Sequence, residues 1–171
     1  CPCDDRHIEV QIPRRPGDAF AEALFTTLKA NDTVELEGPF GDFVLDEDSP
    51  RPVIFLAFGA GFAPIKSLIQ HAMSLELAES MDRHWLADAA GHYQDNLCRA
   101  WTDALDNFNY VPHAQRDDLD AVLAAIVLDY PDLHRFDVYA AGTAVQLDRA
   151  RAHFVRHGLS EERWFAGAID G

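Results

Sequence analysis

Two short stretches carry residue types and spacings suited to holding a phosphorylated ligand. Gly59-Ala60-Gly61-Phe62-Ala63-Pro64 follows the continuous apolar run Val53–Phe58 and opens an amphipathic stretch. Glycines at a strand-to-helix turn let the backbone come close to a pyrophosphate, and the helix start turns free N–H groups and a positive dipole end toward it. Pro64 suits the first helical turn, where its missing N–H costs nothing. It also stands where the Gly-x-Gly-x-x-Gly fingerprint has its third glycine. The second stretch is Ala140-Ala141-Gly142-Thr143, with Val145 behind it, again at the end of an apolar run. Ligands of open parallel sheets lie at the carboxyl edge of the strands, so two such turns on one edge can face one ligand from two sides. Taken singly, each is also an ordinary small-residue turn. Arg14-Arg15-Pro16-Gly17-Asp18 offers two cations beside a helix start, but Arg and Pro-Gly are commonplace in loops.

Other residues carry weaker signals. Cys1-Pro2-Cys3 has no companion cysteines at metal-binding spacing, and the histidines are scattered. Without a ferredoxin-type cysteine run, an iron–sulfur cluster is expected only outside this chain. Trp85, Trp101 and Trp164 read as core residues.

The elements that must position these turns follow from periodicity. After the acidic, proline-containing linker 46–52, strand and helix patterns alternate. Strands are expected at 53–58, 84–87, 108–111, 136–140 and 163–166. Helices are expected at 64–75, 95–105, 119–128 and 145–157, the last stopped by Gly158. This is an α/β doubly wound parallel five-stranded sheet with right-handed crossovers. The front of the chain reads differently. Residues 7–12, 33–37 and 43–45 alternate as half-buried strands, with a helix over 18–28 N-capped by Asp18. Three strands and one helix do not close a barrel. The expected division is therefore a partial antiparallel β-barrel at 1–49 and a nucleotide-binding domain at 50–171.

Composition narrows the partners. The 171 residues hold 29 acidic side chains against 14 Lys and Arg, a formal charge of -15, which disfavours nucleic acid and anionic membranes. No apolar run is long enough to span a bilayer. Three cysteines without a disulfide framework point to a reducing, cytoplasmic compartment. The chain starts at Cys1 rather than Met, and upstream sequence is expected.

Glu37-Gly38-Pro39-Phe40-Gly41, then residues 52–67 with the glycine turn, then Tyr139-Ala140-Ala141-Gly142, resemble the ferredoxin–NADP reductase superfamily in order and spacing. The resemblance is nearest to NAD(P)H-dependent oxygenase reductases and deoxyglucoseen-reductase-like flavoproteins. It implies an FAD barrel followed by a nicotinamide domain, with electrons passing from NAD(P)H through FAD to an iron–sulfur centre or other acceptor. It implies further that Gly59, Ala60, Gly61, Phe62 and Pro64 line the nicotinamide and pyrophosphate site, and that Ala140, Ala141, Gly142, Thr143 and Val145 cover the nicotinamide. Gln11, Ile12, Pro13, Gly17, Asp18, Phe20 and Ala21 would approach the FAD ribose and diphosphate.

The chain departs from the family pattern at Ala21, Ala60, Ala141 and Ala144, and it lacks the family's Arg-x-Tyr-Ser motif. Where relatives often carry Arg on the adenosine side, this chain has Asp88. A carboxylate there repels a 2′-phosphate and accepts from a ribose hydroxyl, pointing to NADH over NADPH. Two readings stay open: a flavoprotein reductase, or a degenerate nucleotide-binding module without turnover. A homodimer through residues 7–45 is expected from the free edge of an incomplete barrel.

Overall fold

The structure, a computed structural model, describes residues 7–12, 17–38 and 40–169. Cys1, Cys3, residues 13–16 and Pro39 lie outside them. Beyond the linker the chain folds as strands and helices in strict alternation: β1 (Val53–Phe58), α2 (Phe62–Leu75), β2 (Met81–Leu86), α3 (Asp95–Ala104), β3 (Phe108–His113), α4 (Leu119–Asp129), β4 (Asp137–Gly142), α5 (Ala144–Arg156) and β5 (Trp164–Ala168). All neighbouring strands are parallel, in the order β3-β2-β1-β4-β5. The expected five-stranded α/β sheet is therefore observed, with element ends displaced by a few residues.

β1 is central, and its uniformly apolar sequence fits burial on both faces. Val53, Phe55 and Ala57 pack with Phe62, Ile65 and Ile69 of α2 and with Cys98 of α3. Ile54, Leu56 and Phe58 pack with Val122, Leu123 and Ile126 of α4 and with Leu147, Ala150 and Phe154 of α5. Chain order reverses between β1 and β4, and this reversal opens a crevice at their carboxyl ends.

In the front segment one element is as expected. The helix α1 (Ala19–Thr27) starts at Asp18, whose carboxylate accepts the N–H groups of Phe20 and Ala21, each at 3.0 Å. The expected strands at 7–12, 33–37 and 43–45 do not form among the described residues, so the partial barrel is not seen. A strand needs neighbours to receive its N–H and C=O groups, and among the described residues these stretches pair with no strand. Their apolar side chains stay in solvent, Ile8 79% and Leu36 62% exposed. Phe43 and Leu45, by contrast, pack on the sheet's core. Phe43 lies 6.2 Å from the Tyr139 ring, which stacks on Phe165 at 4.5 Å. Asp46 N–H donates to Tyr139 Oη at 2.9 Å, and Ser49 Oγ donates to Asp137 at 2.5 Å, so the linker is tied to the base of β4. No helix among the described residues is long and apolar enough to cross a membrane.

Candidate functional site

The two glycine-bearing turns meet at the β1–β4 crevice. After β1 the chain makes a single 3-10 turn, Gly59–Gly61, and runs straight into α2, whose third residue is Pro64. Gly59 has φ +51°, and a Cβ on it would overlap the Asp88 carboxylate. Gly61 lies against the backbone carbonyl of Ala141, where any Cβ would collide. The first turn thus leans directly on the end of β4, with no room for side chains between. The turn thus brings side-chain-free backbone, with Gly59 and Gly61 themselves buried, up to the start of α2.

Neighbouring groups fix both turns. Trp85 Nε1–H donates to the Gly59 carbonyl at 3.0 Å, and its ring stacks on Phe62 at 4.1 Å. Sequence reading placed Trp85 in the core, and it is buried there, but it also props the glycine turn from below. After β4, Thr143 begins α5 with a capping box: Gln146 Oε1 accepts both the Thr143 N–H at 3.0 Å and its hydroxyl at 2.9 Å. Asp88 accepts the Ala90 N–H at 2.9 Å, which closes the loop after β2.

A cleft of about 440 Å³ runs along the sheet edge, within the range of small-molecule sites. The predicted residues Gln11, Gly59, Ala60, Pro64, Asp88 and Thr143 line it together. So do Gln146, Ile169 and the loop after β3 (Ala114, Gln115, Asp117), which sequence reading missed. The rule that ligands sit outside the carboxyl ends of strands would have found the β3 loop, since β3 lies two places from β1. Among these lining residues there is no Lys or Arg, whereas two carboxylates are present.

A second, adjoining hollow is lined by Gln11, Ile12, Ala60, Asp88 and Tyr93 among others. Gln11 and Ile12 therefore stand next to the glycine turn.

Other predicted residues are placed elsewhere. Phe62 is fully buried between Trp85 and Arg83, and its side chain does not line the cleft. Ala140 and Ala141 are buried inside β4. Val145 faces solvent on α5. Gly17, Asp18, Phe20 and Ala21 gather at the start of α1, where Asp18 is engaged as the helix cap. Pro13 lies outside the described residues.

The sheet order and helix placement are those of the ferredoxin-reductase fold. The Amycolatopsis cytochrome P450 reductase GcoB superposes on the chain with TM-score 0.71 at 24% identity, over 85% of this chain and 46% of that one. In sequence, the chain is homologous to reductases. It is 31% identical over 174 residues to the CDP-6-deoxy-L-threo-D-glycero-4-hexulose-3-dehydrase reductase of Yersinia pestis, covering 98% of this chain and 53% of that protein. It is 27% identical over 180 residues to the NAD(P)H-flavin reductase of Vibrio harveyi, covering 98% and 76%. The chain spans about half the length of the first of these. No family profile matches it.

Proposed function

We propose that this chain is the dinucleotide-binding part of a flavoprotein reductase that takes electrons from NADH through FAD to an iron–sulfur centre or another acceptor outside these residues. The observation that carries the reading is the meeting of the two turns at the β1–β4 reversal, where Gly61 touches the Ala141 carbonyl beside a helix start. Homology to an NAD(P)H-flavin reductase and to a dehydrase reductase supports the same chemistry.

On this reading the flavin supplies the change from two-electron to one-electron transfer, and the protein binds and orients. The helix start of α2 and the Gly59–Gly61 backbone hold the pyrophosphate. The adenosine lies toward Asp88 and the 114–117 loop, and the nicotinamide toward Thr143, Gln146 and Ile169. With Asp88 and Asp117 in the cleft and no cation lining it, a ribose 2′-hydroxyl is favoured over a 2′-phosphate. Residues 1–49 belong to the flavin side and 50–171 to the nicotinamide side. The free, buried thiol of Cys98 agrees with a reducing, cytoplasmic setting. The exposed apolar residues of 7–45 are where two copies of the isolated chain would pair.

The test is to purify the complete protein with FAD and follow oxidation of NADH and of NADPH with an artificial one-electron acceptor. Turnover with NADH preferred by about tenfold or more supports the reading, a preference worth roughly 1.4 kcal/mol. Dinucleotide binding without turnover would instead establish the non-catalytic module.

A further inference from the structure

We propose that Glu9, Lys66 and Tyr93 are positioning residues, forming a polar clasp that fixes the 7–12 segment against the glycine turn and so sets the approach of flavin to nicotinamide. The proposal rests on the functional reading above.

Lys66 sits one turn into α2, just beyond Pro64, on a helix whose neighbouring inward residues Phe62, Ile65 and Ile69 are core. Its side chain is only 9% exposed. An ammonium is costly to take out of water unless it is paired. It is paired across the chain: Nζ lies 2.6 Å from both carboxylate oxygens of Glu9. The ion pair of Arg149 with Asp120, by contrast, has both partners well exposed.

The Glu9 carboxylate gathers more donors. It accepts from Gln11 Nε2 at 2.9 Å and from Gln94 Nε2 at 3.4 Å. Lys66 above all, with Gln11 next, holds its pKa down to about 2, so it stays charged at any working pH. The second arm comes from the loop ahead of α3, where Tyr93 Oη donates to Gln11 Oε1 at 2.5 Å. Two separate elements of the sheet domain thus converge on one three-residue stretch of the front segment. Gln11 is the joint between them, and it lines the cleft beside Ala60 and Asp88.

This placement has a consequence for rate. Interfaces between domains of one chain are small and polar, so relative motion is the default. A misplacement of about 1 Å between reacting groups costs on the order of a hundredfold in rate. A bidentate ion pair with one buried partner, seated beside the dinucleotide cradle, limits that motion where it matters.

The experiment uses the complete protein loaded with FAD, with Lys66→Met, Lys66→Arg and Tyr93→Phe variants. Three quantities are measured: NADH affinity, the rate of flavin reduction on rapid mixing, and the long-wavelength charge-transfer absorbance of flavin beside nicotinamide. Lys66→Met is expected to slow flavin reduction by about tenfold or more and weaken the charge-transfer band, with NADH affinity changed by less than about threefold. Lys66→Arg is expected to restore most of the rate. Tyr93→Phe is expected to cost about threefold, since a hydrogen bond to a neutral acceptor is the weaker arm. A Lys66→Met protein with wild-type rate and band overturns the clasp, as does one whose NADH affinity falls in step with its rate. Should Lys66→Met fail to fold, Tyr93→Phe decides by the same two readouts. A wild-type protein that takes up no FAD, or is not reduced by NADH, overturns the functional reading and the positioning role with it.

Discussion

Residues 7–45 and the sheet that follows are built from similar local patterns and end in different states. Ile8 and Val10 alternate with polar residues as a strand should, and so do Val34 and Leu36, yet all four side chains are exposed and the backbone forms no ladder. Val53–Phe58 sits between β2 and β4, and all six of its residues are buried. The difference lies in the neighbours. A period-two pattern states which face wants burial, but only a paired strand and a covering layer supply it. Within this chain the sheet provides both for itself, while the described part of the front segment leaves most of its large apolar side chains exposed and packs on the sheet's core through Phe43 and Leu45.

The comparison is tested most sharply at the point where the sheet is least tolerant. Gly61→Val places a branched side chain into the Ala141 carbonyl, backbone against backbone, with no side chain able to swing away. The expected cost is at least about 3 kcal/mol in urea unfolding, because overpacking that moves two backbones cannot relax. Gly59→Ala is the milder companion. Its Cβ meets only the Asp88 side chain, which is exposed and can rotate, so the loss is mainly the positive-φ strain of about 1–2 kcal/mol. If the two variants lose equal stability, the joint between the turns is not where the model of a rigid cradle puts it.

The sheet also differs from the front segment in burying ionisable groups. His84 on β2 is 1% exposed, with Nδ1 3.1 Å from His113 Nε2. Burial above all, then His113 and Arg83, pushes its pKa from 6.5 down to about 3. The unfolded chain therefore binds a proton that the folded chain refuses between those values, and stability falls as pH drops from about 6.5 toward 3. His84→Leu removes that dependence. At pH 4 the wild type is expected to have lost roughly 3 kcal/mol relative to its neutral value through this group, a loss the variant escapes. Parallel pH profiles of unfolding free energy for the two proteins would contradict the assignment.

Legibility in the sequence followed the same divide. The six-residue apolar run of β1, the Asp18 cap and the position of Pro64 in the first turn of α2 were readable because each depends on residues close in sequence. Both glycine turns were placed from sequence, but which of their residues face the cleft was not. Phe62 turns inward because Trp85 and Arg83, more than twenty residues away, offer it a stacked site. Gln146 enters the cleft through a capping box, and the 114–117 loop through strand order; neither is written in the turn motifs themselves. The strands expected in the front segment failed for the reason already given, since hydrogen-bond partners are not a local property. Lys66 and Glu9 are 57 residues apart, and no spacing rule joins them.

The smallest expected effect is the one that separates the two regions most cleanly. Leu36→Ser and Ile8→Thr remove apolar surface that is already in water, so each should change the unfolding free energy of this chain by no more than about 0.5 kcal/mol. Leu56→Ala, at a fully buried position of β1, should cost about 2–5 kcal/mol in the same assay. If the front substitutions instead cost more than about 1 kcal/mol, those side chains are covered in solution, since only burial gives an apolar side chain that much to lose. The concentration dependence of the loss then names the cover. Association between copies makes the midpoint rise with protein concentration, whereas packing within one chain leaves it fixed.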